Sequence, residues 1–175
     1  MSRGRTRPER PRLIRVPPRA RVLTVSDRSA AGLREDRGGP LAVSLLREAG
    51  FDCADPVVVP DGADSVERAL RALVAERPGL VVTTGGTGIA PTDRTPEGTA
   101  RVLDRPLPGI AEELRRRGLA DTPLAVISRG LAGIVDPGTL VVNLPGSTRA
   151  VASGISVLAE LAPHILDQLA GGDHA

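Results

Sequence analysis

Short runs rich in β-branched residues recur along this chain with helical patterns between them: Arg21 to Ser26, Val57 to Val59, Leu80 to Val82 and Thr139 to Val142. Such continuously apolar runs suit strands buried on both faces, and joining them by helices suits a mostly parallel sheet with helices on both sides. The intervening segments have the required spacing. Pro40 to Ala49 carries Leu41, Leu45 and Leu46 on a helical stripe before Gly50 stops it. Asp64-Ser65-Val66-Glu67 offers an Asp N-cap with an acid three residues on, and Leu70, Leu73 and Val74 continue that stripe. Gly109 to Arg117 reads as a charge-rich helix. Leu131 to Val135 and Thr139 to Val142 flank Asp136-Pro137-Gly138 as a hairpin. Ser147 is placed to cap a long C-terminal helix with apolar positions at Val151, Ile155, Leu158 and Leu161.

A chain of 175 residues suits one domain with a sizeable core. That core must be aliphatic, because Phe51 is the only aromatic residue, and a nucleic-acid reader built on base stacking is not expected for the same reason. All 23 basic residues are Arg, and eight of them fall between Arg3 and Arg21 with Glu9 as the sole acid there. Beyond Arg21, 15 Arg face 20 acids, so the folded part is acidic despite a pI near 9.8. Residues 1–20 read as a disordered Arg/Pro-rich tail, since Pro8, Pro11, Pro17 and Pro18 break helix and no apolar face emerges. Residues 21–170 then form the domain. No 15-residue apolar segment follows the tail, so neither a signal peptide nor a membrane span is expected, and a cytoplasmic location is. Cys53, the single cysteine, reads as a buried structural thiol.

Polar residues collect after almost every strand: Ser26-Asp27, Asp61, Thr84 through Asp93, Ser128 and Asn143. In open α/β sheets ligands bind beyond the carboxyl ends of the strands. The densest group is Thr83-Thr84-Gly85-Gly86-Thr87-Gly88, answered downstream by Asp93-Arg94-Thr95-Pro96-Glu97. Glycines let backbone N–H groups approach an oxyanion, threonine hydroxyls add donors, and Asp93 can hold a cation against the same anion, which outlines a phosphate site. Each element has a structural alternative. The glycines can form a tight strand-to-helix turn, Asp93 can cap a helix starting near Pro96, Asp61 can open a Pro-Asp-Gly turn, and Ser128 and Asn143 can be ordinary loop and turn groups.

Absences narrow the chemistry. The chain has no Lys, which removes a P-loop lysine and Schiff-base catalysis. His164 and His174, with one cysteine, cannot build a zinc site of the usual ligand types. Carboxylates, amides, hydroxyls and a hard cation remain, and Mg²⁺ with a phosphate-bearing substrate fits them.

Eight ordered motifs together resemble the MogA/MoaB family of molybdopterin-binding proteins over about residues 21–169: Val22-Leu23-Thr24-Val25-Ser26-Asp27, Asp36-Arg37 before Gly39-Pro40, Val59-Pro60-Asp61, Gly85 to Gly88 with Asp93 and Thr95-Pro96-Glu97, Pro108-Gly109, Ser128-Arg129, Ala132-Gly133, and Asn143-Leu144-Pro145-Gly146. The resemblance implies a three-layer α/β/α fold, a homotrimer, and transfer of AMP from Mg-ATP to the terminal phosphate of molybdopterin in molybdenum cofactor biosynthesis. A molybdenum-insertion protein is the implied partner, and a non-catalytic molybdopterin-binding module of the same fold is the alternative. On this resemblance Asp61 and Asp93 are the two catalytic, magnesium-holding aspartates. Gly85, Gly86, Thr87 and Gly88 face phosphate, Ser26, Ser128 and Asn143 contact the pterin or its phosphate, and Pro145 and Gly146 shape the adjoining turn. Two departures leave the phosphate-clamping arginine open. Arg94 follows Asp93 where many relatives have Arg before it, and Ser147-Thr148-Arg149 stands where relatives often have Asn-Pro or Gln-Pro.

Overall fold

The computed structural model describes residues 16–172, and most of the expected Arg/Pro-rich tail lies outside them. The chain runs β1 (Arg19–Val25), α1 (Asp27–Ala30), α2 (Gly38–Glu48), β2 (Asp52–Cys53), β3 (Val57–Val59), α3 (Ala63–Ala75), β4 (Leu80–Thr84), α4 (Thr95–Ala100), β5 (Arg105–Pro106), α5 (Pro108–Gly118), a 3₁₀ turn (Pro123–Ile127), β6 (Ala132–Val135), β7 (Thr139–Leu144) and α6 (Thr148–Leu169). The strands form one seven-stranded sheet ordered β2-β1-β4-β7-β6-β5, with β3 also pairing to β1. Strands β1, β2, β3, β4 and β7 pair in parallel. The expected hairpin is present, β6 and β7 pairing antiparallel from Val135 opposite Thr139 to Ala132 opposite Val142.

Side-chain alternation along the strands divides the core into two layers. Val22, Leu80, Val82, Leu140, Val142 and Leu144 face Ala42, Val43 and Leu46 of α2 and Val151, Ile155 and Leu158 of α6. Leu23, Val25, Val81 and Val141 face Val66, Leu70 and Leu73 of α3. The three-layer α/β/α arrangement follows. Helix α6 is long and apolar enough to cross a membrane, a length of apolar chain not anticipated from sequence, but it packs on α2, α5 and β7 and buries Val151, Gly154, Ile155, Val157, Leu158 and Ala162 there.

Four local expectations are corrected. Arg19 and Ala20 belong to β1, pairing with Asp52 and Cys53, so the folded region starts two residues before the expected boundary. Helix α2 begins at Gly38 and buries Ala42, Val43 and Leu46, whereas Leu41 and Leu45 are only half-buried beside that face. Its start is held by Asp36, whose carboxylate accepts from Gly39 N at 2.9 Å and from Thr24 Oγ1 at 2.7 Å. Asp64 does not cap α3; the helix starts two residues earlier, after Gly62, and Asp64 sits in its first turn, where the macrodipole favours an acid. Ser147 caps α6 as expected, accepting from Ala150 N at 3.2 Å.

Candidate functional site

The parallel register sets the ends of four strands side by side. Val25 pairs with Val59, Thr24 with Thr84, and Thr84 with Leu144, so Ser26, Asp61, Gly85 and Pro145 all emerge along one edge of the sheet. At that edge lies a cavity of about 580 Å³ lined by Gly85, Gly86, Thr87, Gly88, Asp93, Ser128, Asn143, Pro145 and Gly146, and walled by α5, the 3₁₀ turn and the start of α6. Nine of the eleven sequence-predicted site residues therefore meet in one place.

The loop after β4 is polarised by its hydrogen bonds. Gly85 O accepts from Thr95 Oγ1 at 2.9 Å, Gly86 O from Thr95 N at 3.1 Å, Thr87 O from Arg129 N at 2.8 Å, and Gly88 O from Arg129 Nε at 2.8 Å. Every carbonyl from Gly85 to Gly88 is engaged by the protein. Gly85 N donates to Leu144 O at 3.0 Å, but among the described residues the N–H groups of Gly86, Thr87 and Gly88 have no acceptor. Successive unpartnered backbone N–H groups are the composition of the concavities that bind anions elsewhere. The backbone demands glycine here: Gly85 and Gly86 have φ of +93° and +64°, and a Cβ would overlap the Val25 carbonyl oxygen at the first and Thr95 Oγ1 at the second.

Asp93 closes this loop rather than capping α4. Its Oδ2 accepts from Ala90 N at 3.0 Å, its own N–H donates to Ala90 O at 2.9 Å, and its carbonyl accepts from Arg129 Nη2. Asp61 lies outside the cavity wall and reaches the loop from the opposite side, where a Cβ on Gly86 would stand 3.3 Å from its Oδ1. A cross-brace with Asp27 holds it there. Asp27 N donates to Asp61 Oδ2 at 2.8 Å, and Asp61 N donates to Asp27 Oδ1 at 3.0 Å. Burial pushes the Asp61 carboxyl above its ordinary value, and the charges of Asp27 and Asp93 push the same way against the lowering effect of the Asp27 N–H.

That raised value has a consequence for stability. A carboxylate whose folded pKa exceeds its unfolded one lowers stability when ionised; the deficit is full above the folded pKa and disappears as pH falls through it to below the unfolded value. Asp61→Asn is therefore expected to raise Tm at neutral pH, with the gain vanishing in acid. Thermal scans of both proteins from pH 3 to 8 check this, and a Tm lowered at pH 7 contradicts it.

Two predicted ligand groups are corrected. The Asn143 side chain is buried and fully engaged, Nδ2 donating to Thr83 Oγ1 at 3.0 Å and Thr99 Oγ1 at 2.9 Å while Oδ1 accepts from Leu131 N at 3.0 Å, so it ties the sheet to α4 instead of presenting an amide to ligand. Ser26 is not on the cavity wall; its hydroxyl caps α1, accepting from Ser29 N at 3.2 Å. The arginines also separate. Arg94 turns away to Pro91 O and Glu97, in a second, polar depression of about 630 Å³ that also contains Asp61, Arg68 and Arg101. Arg115 lines the main cavity but donates to Ser128 O and Gly130 O. Arg149 lines it with no partner among the described residues. Arg129, quoted in the sequence only beside Ser128, proves to be the residue that binds the loop. It donates to the Glu97 carboxylate at 2.6 Å and thereby holds Glu97 below the usual carboxylate range.

A glycine loop at the carboxyl edge of a mostly parallel sheet, beside a cavity and two carboxylates, gives the class: an α/β protein whose candidate ligand site lies where such sheets place theirs. The particular family is given by comparison: residues 21–164 match the family described as "Probable molybdopterin binding domain", and the chain belongs to it. It is 43% identical over 155 residues to the molybdenum cofactor biosynthesis bifunctional protein of Synechococcus elongatus, covering 89% of this chain and 48% of that one. It is 35% identical over 153 residues to the molybdopterin adenylyltransferase of Helicobacter pylori strain 26695, covering 86% of each. The solved molybdopterin biosynthesis Mog protein of Mycobacterium ulcerans superposes with a TM-score of 0.82 at 43% identity, covering 90% of this chain and 99% of that one. The chain thus spans about half the length of the bifunctional relative and nearly all of the other two.

Proposed function

We propose that this chain is a molybdopterin adenylyltransferase of molybdenum cofactor biosynthesis, transferring AMP from Mg-ATP to the terminal phosphate of molybdopterin. A phosphate oxygen of the pterin attacks the α-phosphorus of ATP, the bond to the bridging oxygen breaks, and pyrophosphate leaves. No covalent enzyme intermediate is needed, so positioning and charge neutralisation are the protein's task. The observation that supports the reading most is the nest of free N–H groups at Gly86, Thr87 and Gly88 between the carboxylates of Asp93 and Asp61. Those amides are aimed to stabilise charge on a reacting phosphate. Ser128, Pro145 and Gly146 form further wall of the cavity that receives substrate.

Magnesium fits this donor set. Asp61 is crowded by the charges of Asp27 and Asp93, a strain that a divalent cation relieves. Among the described residues no three His, Cys, Asp or Glu side chains gather into a metal site of their own, and Mg²⁺ usually takes only one or two carboxylates, completing its shell with phosphates and waters. Asp61 and Asp93 would hold it, and it would supply neutralisation of the polyphosphate charge. Incubation with molybdopterin and Mg-ATP tests the reaction: the expected product is adenylylated pterin, formed with one pyrophosphate each. Pterin binding without ATP consumption supports the alternative, a non-catalytic binding module.

In this reading the protein works in the cytoplasm as a homotrimer and hands its product to a molybdenum-insertion protein. Leu124, Val126 and Ile127 of the 3₁₀ turn are 66%, 58% and 44% exposed, an apolar strip that supports assembly. Light scattering is expected to give three times the 18.2 kDa chain mass; a monomer at micromolar concentration contradicts the trimer. The tail expected to be dispensable, residues 1 to about 20, is shortened to 1–17, because Pro18 O accepts from Asp52 N at 3.0 Å and β1 begins at Arg19. Deleting them is expected to leave Tm and turnover within error, whereas lost activity, or nucleic acid that co-purifies only with the full chain, makes the tail a functional arm.

A further inference from the structure

We infer that Arg129 is a positioning residue, a latch whose guanidinium holds the Gly88 end of the glycine loop and the placement of Asp93 without touching substrate. This rests on the proposed function of the cavity. Arg129 reaches the loop from the 128–131 connection and binds it at four acceptors: its N–H donates to Thr87 O, Nε to Gly88 O, Nη2 to Asp93 O, and Nη1 to Glu97 Oε1. The first three are loop carbonyls. The Arg129 main-chain N–H turns the Thr87–Gly88 peptide, which leaves the Gly88 N–H without a protein partner, while the guanidinium fixes the Gly88 and Asp93 carbonyls and with them the stretch of chain that carries the Asp93 carboxylate. Thr95 binds Gly85 O and Gly86 O and so sets the Gly86 and Thr87 N–H groups, while the Arg129 guanidinium binds the carbonyls of Gly88 and Asp93 further along the loop.

Glu97 fixes the latch in turn. Its carboxylate receives Nη1 and Nη2 of Arg129 at 2.6 and 3.5 Å, and the pair is about one-third exposed, where a charge-assisted bond is screened less than at the surface. Arg94 binds the same carboxylate at 3.3 Å from its outer side. The contacts demand a planar fork, since three donors on one guanidinium address three acceptors at fixed angles. A lysine ammonium, a single compact point of charge, cannot reach all three. Charge alone is therefore insufficient, and this separates a latch from a generic basic residue.

The test compares wild type with Arg129→Lys, Arg129→Gln and Glu97→Gln in the full chain by three readouts: amide hydrogen exchange of the ligand-free protein, calorimetric binding of inorganic pyrophosphate, and kcat and KM for ATP. In Arg129→Lys, exchange of the bonded amides of Ala90, Asp93 and Thr95 is expected to quicken ~10-fold or more with the β1, β4 and β7 segments unchanged. Pyrophosphate affinity and kcat are each expected to fall ~10-fold or more, as misplacement by a fraction of an ångström allows. Arg129→Gln matches or exceeds these losses, and Glu97→Gln, which folds with the carbonyl contacts intact, falls between it and wild type. If Arg129→Lys leaves loop exchange and pyrophosphate affinity at wild-type values, the latch is refuted. If wild type consumes no ATP with molybdopterin, the proposed function fails instead, and loop exchange and pyrophosphate binding still decide the latch.

Discussion

Asn143→Ala is expected to destabilise the domain by about 3 kcal/mol, because the substitution strands Leu131 N and removes the donor shared by the buried Thr83 and Thr99 hydroxyls. For a domain of this size that is a fall in Tm of about 10 °C. The effect exceeds that of an ordinary turn amide, which exchanges its bonds with solvent at little cost. Asn143 joins three parts of the site: β7 carries it, Thr83 precedes the glycine loop on β4, and Thr99 lies on α4 behind Asp93. Activity should therefore decline with stability rather than through pterin affinity. Chemical denaturation, followed by pterin binding at a temperature where the variant is folded, separates the two. A stable variant that cannot bind pterin would return Asn143 to the role of ligand.

Asp93→Asn and Asp61→Asn are expected to lower adenylylation by ~100-fold or more each, the scale of losing one electrostatic contact in a transition state. The two should differ in what they spare. Asp93 sits in the loop itself, and its loss should weaken nucleotide dependence and turnover together. Asp61 stands across the loop on the brace from Asp27, outside the main cavity, so its variant should keep molybdopterin binding while losing turnover. An amide can still accept the Asp27 N–H, which keeps the brace and isolates the charge. Pterin binding and initial rates of ATP consumption on the same preparations decide the matter; near-normal turnover by Asp61→Asn contradicts the paired-carboxylate account.

What could be read in the sequence was what depends on local pattern. Three of the four β-branched runs became the central strands β1, β4 and β7, whereas Val57–Val59 became β3, paired only to β1 among the described residues and with Val58 exposed; the Asp-Pro-Gly turn became the β6–β7 hairpin, and Ser147 became a cap. The place of the glycine loop was legible because two glycines directly after a buried strand mark a turn at the ligand edge of such a sheet. Groups defined by distant partners were not. The partners of Asn143 lie 60 and 44 residues away, and Asp27 and Asp61 are 34 apart, so neither the buried amide nor the brace leaves a local trace. The face of α2 was misjudged by its start: the helix begins before Pro40, under the Asp36 cap, and small Gly38 and Gly39 pack inward with Ala42 and Val43. Arg129 stood in view beside Ser128, but only the fold reveals that its reach of 41 residues back to Gly88 shapes the loop.

The most direct measurement is a structure of the protein with molybdopterin, a non-hydrolysable ATP analogue and Mg²⁺. The account predicts phosphate oxygens within hydrogen-bonding distance of the amides of Gly86, Thr87 and Gly88, a cation between those phosphates and the carboxylates of Asp61 and Asp93, and the pterin at the carboxyl edge of β4 and β7. Pterin seated away from that edge, or phosphates held only by arginines in the depression of Arg68, Arg94 and Arg101, would contradict it.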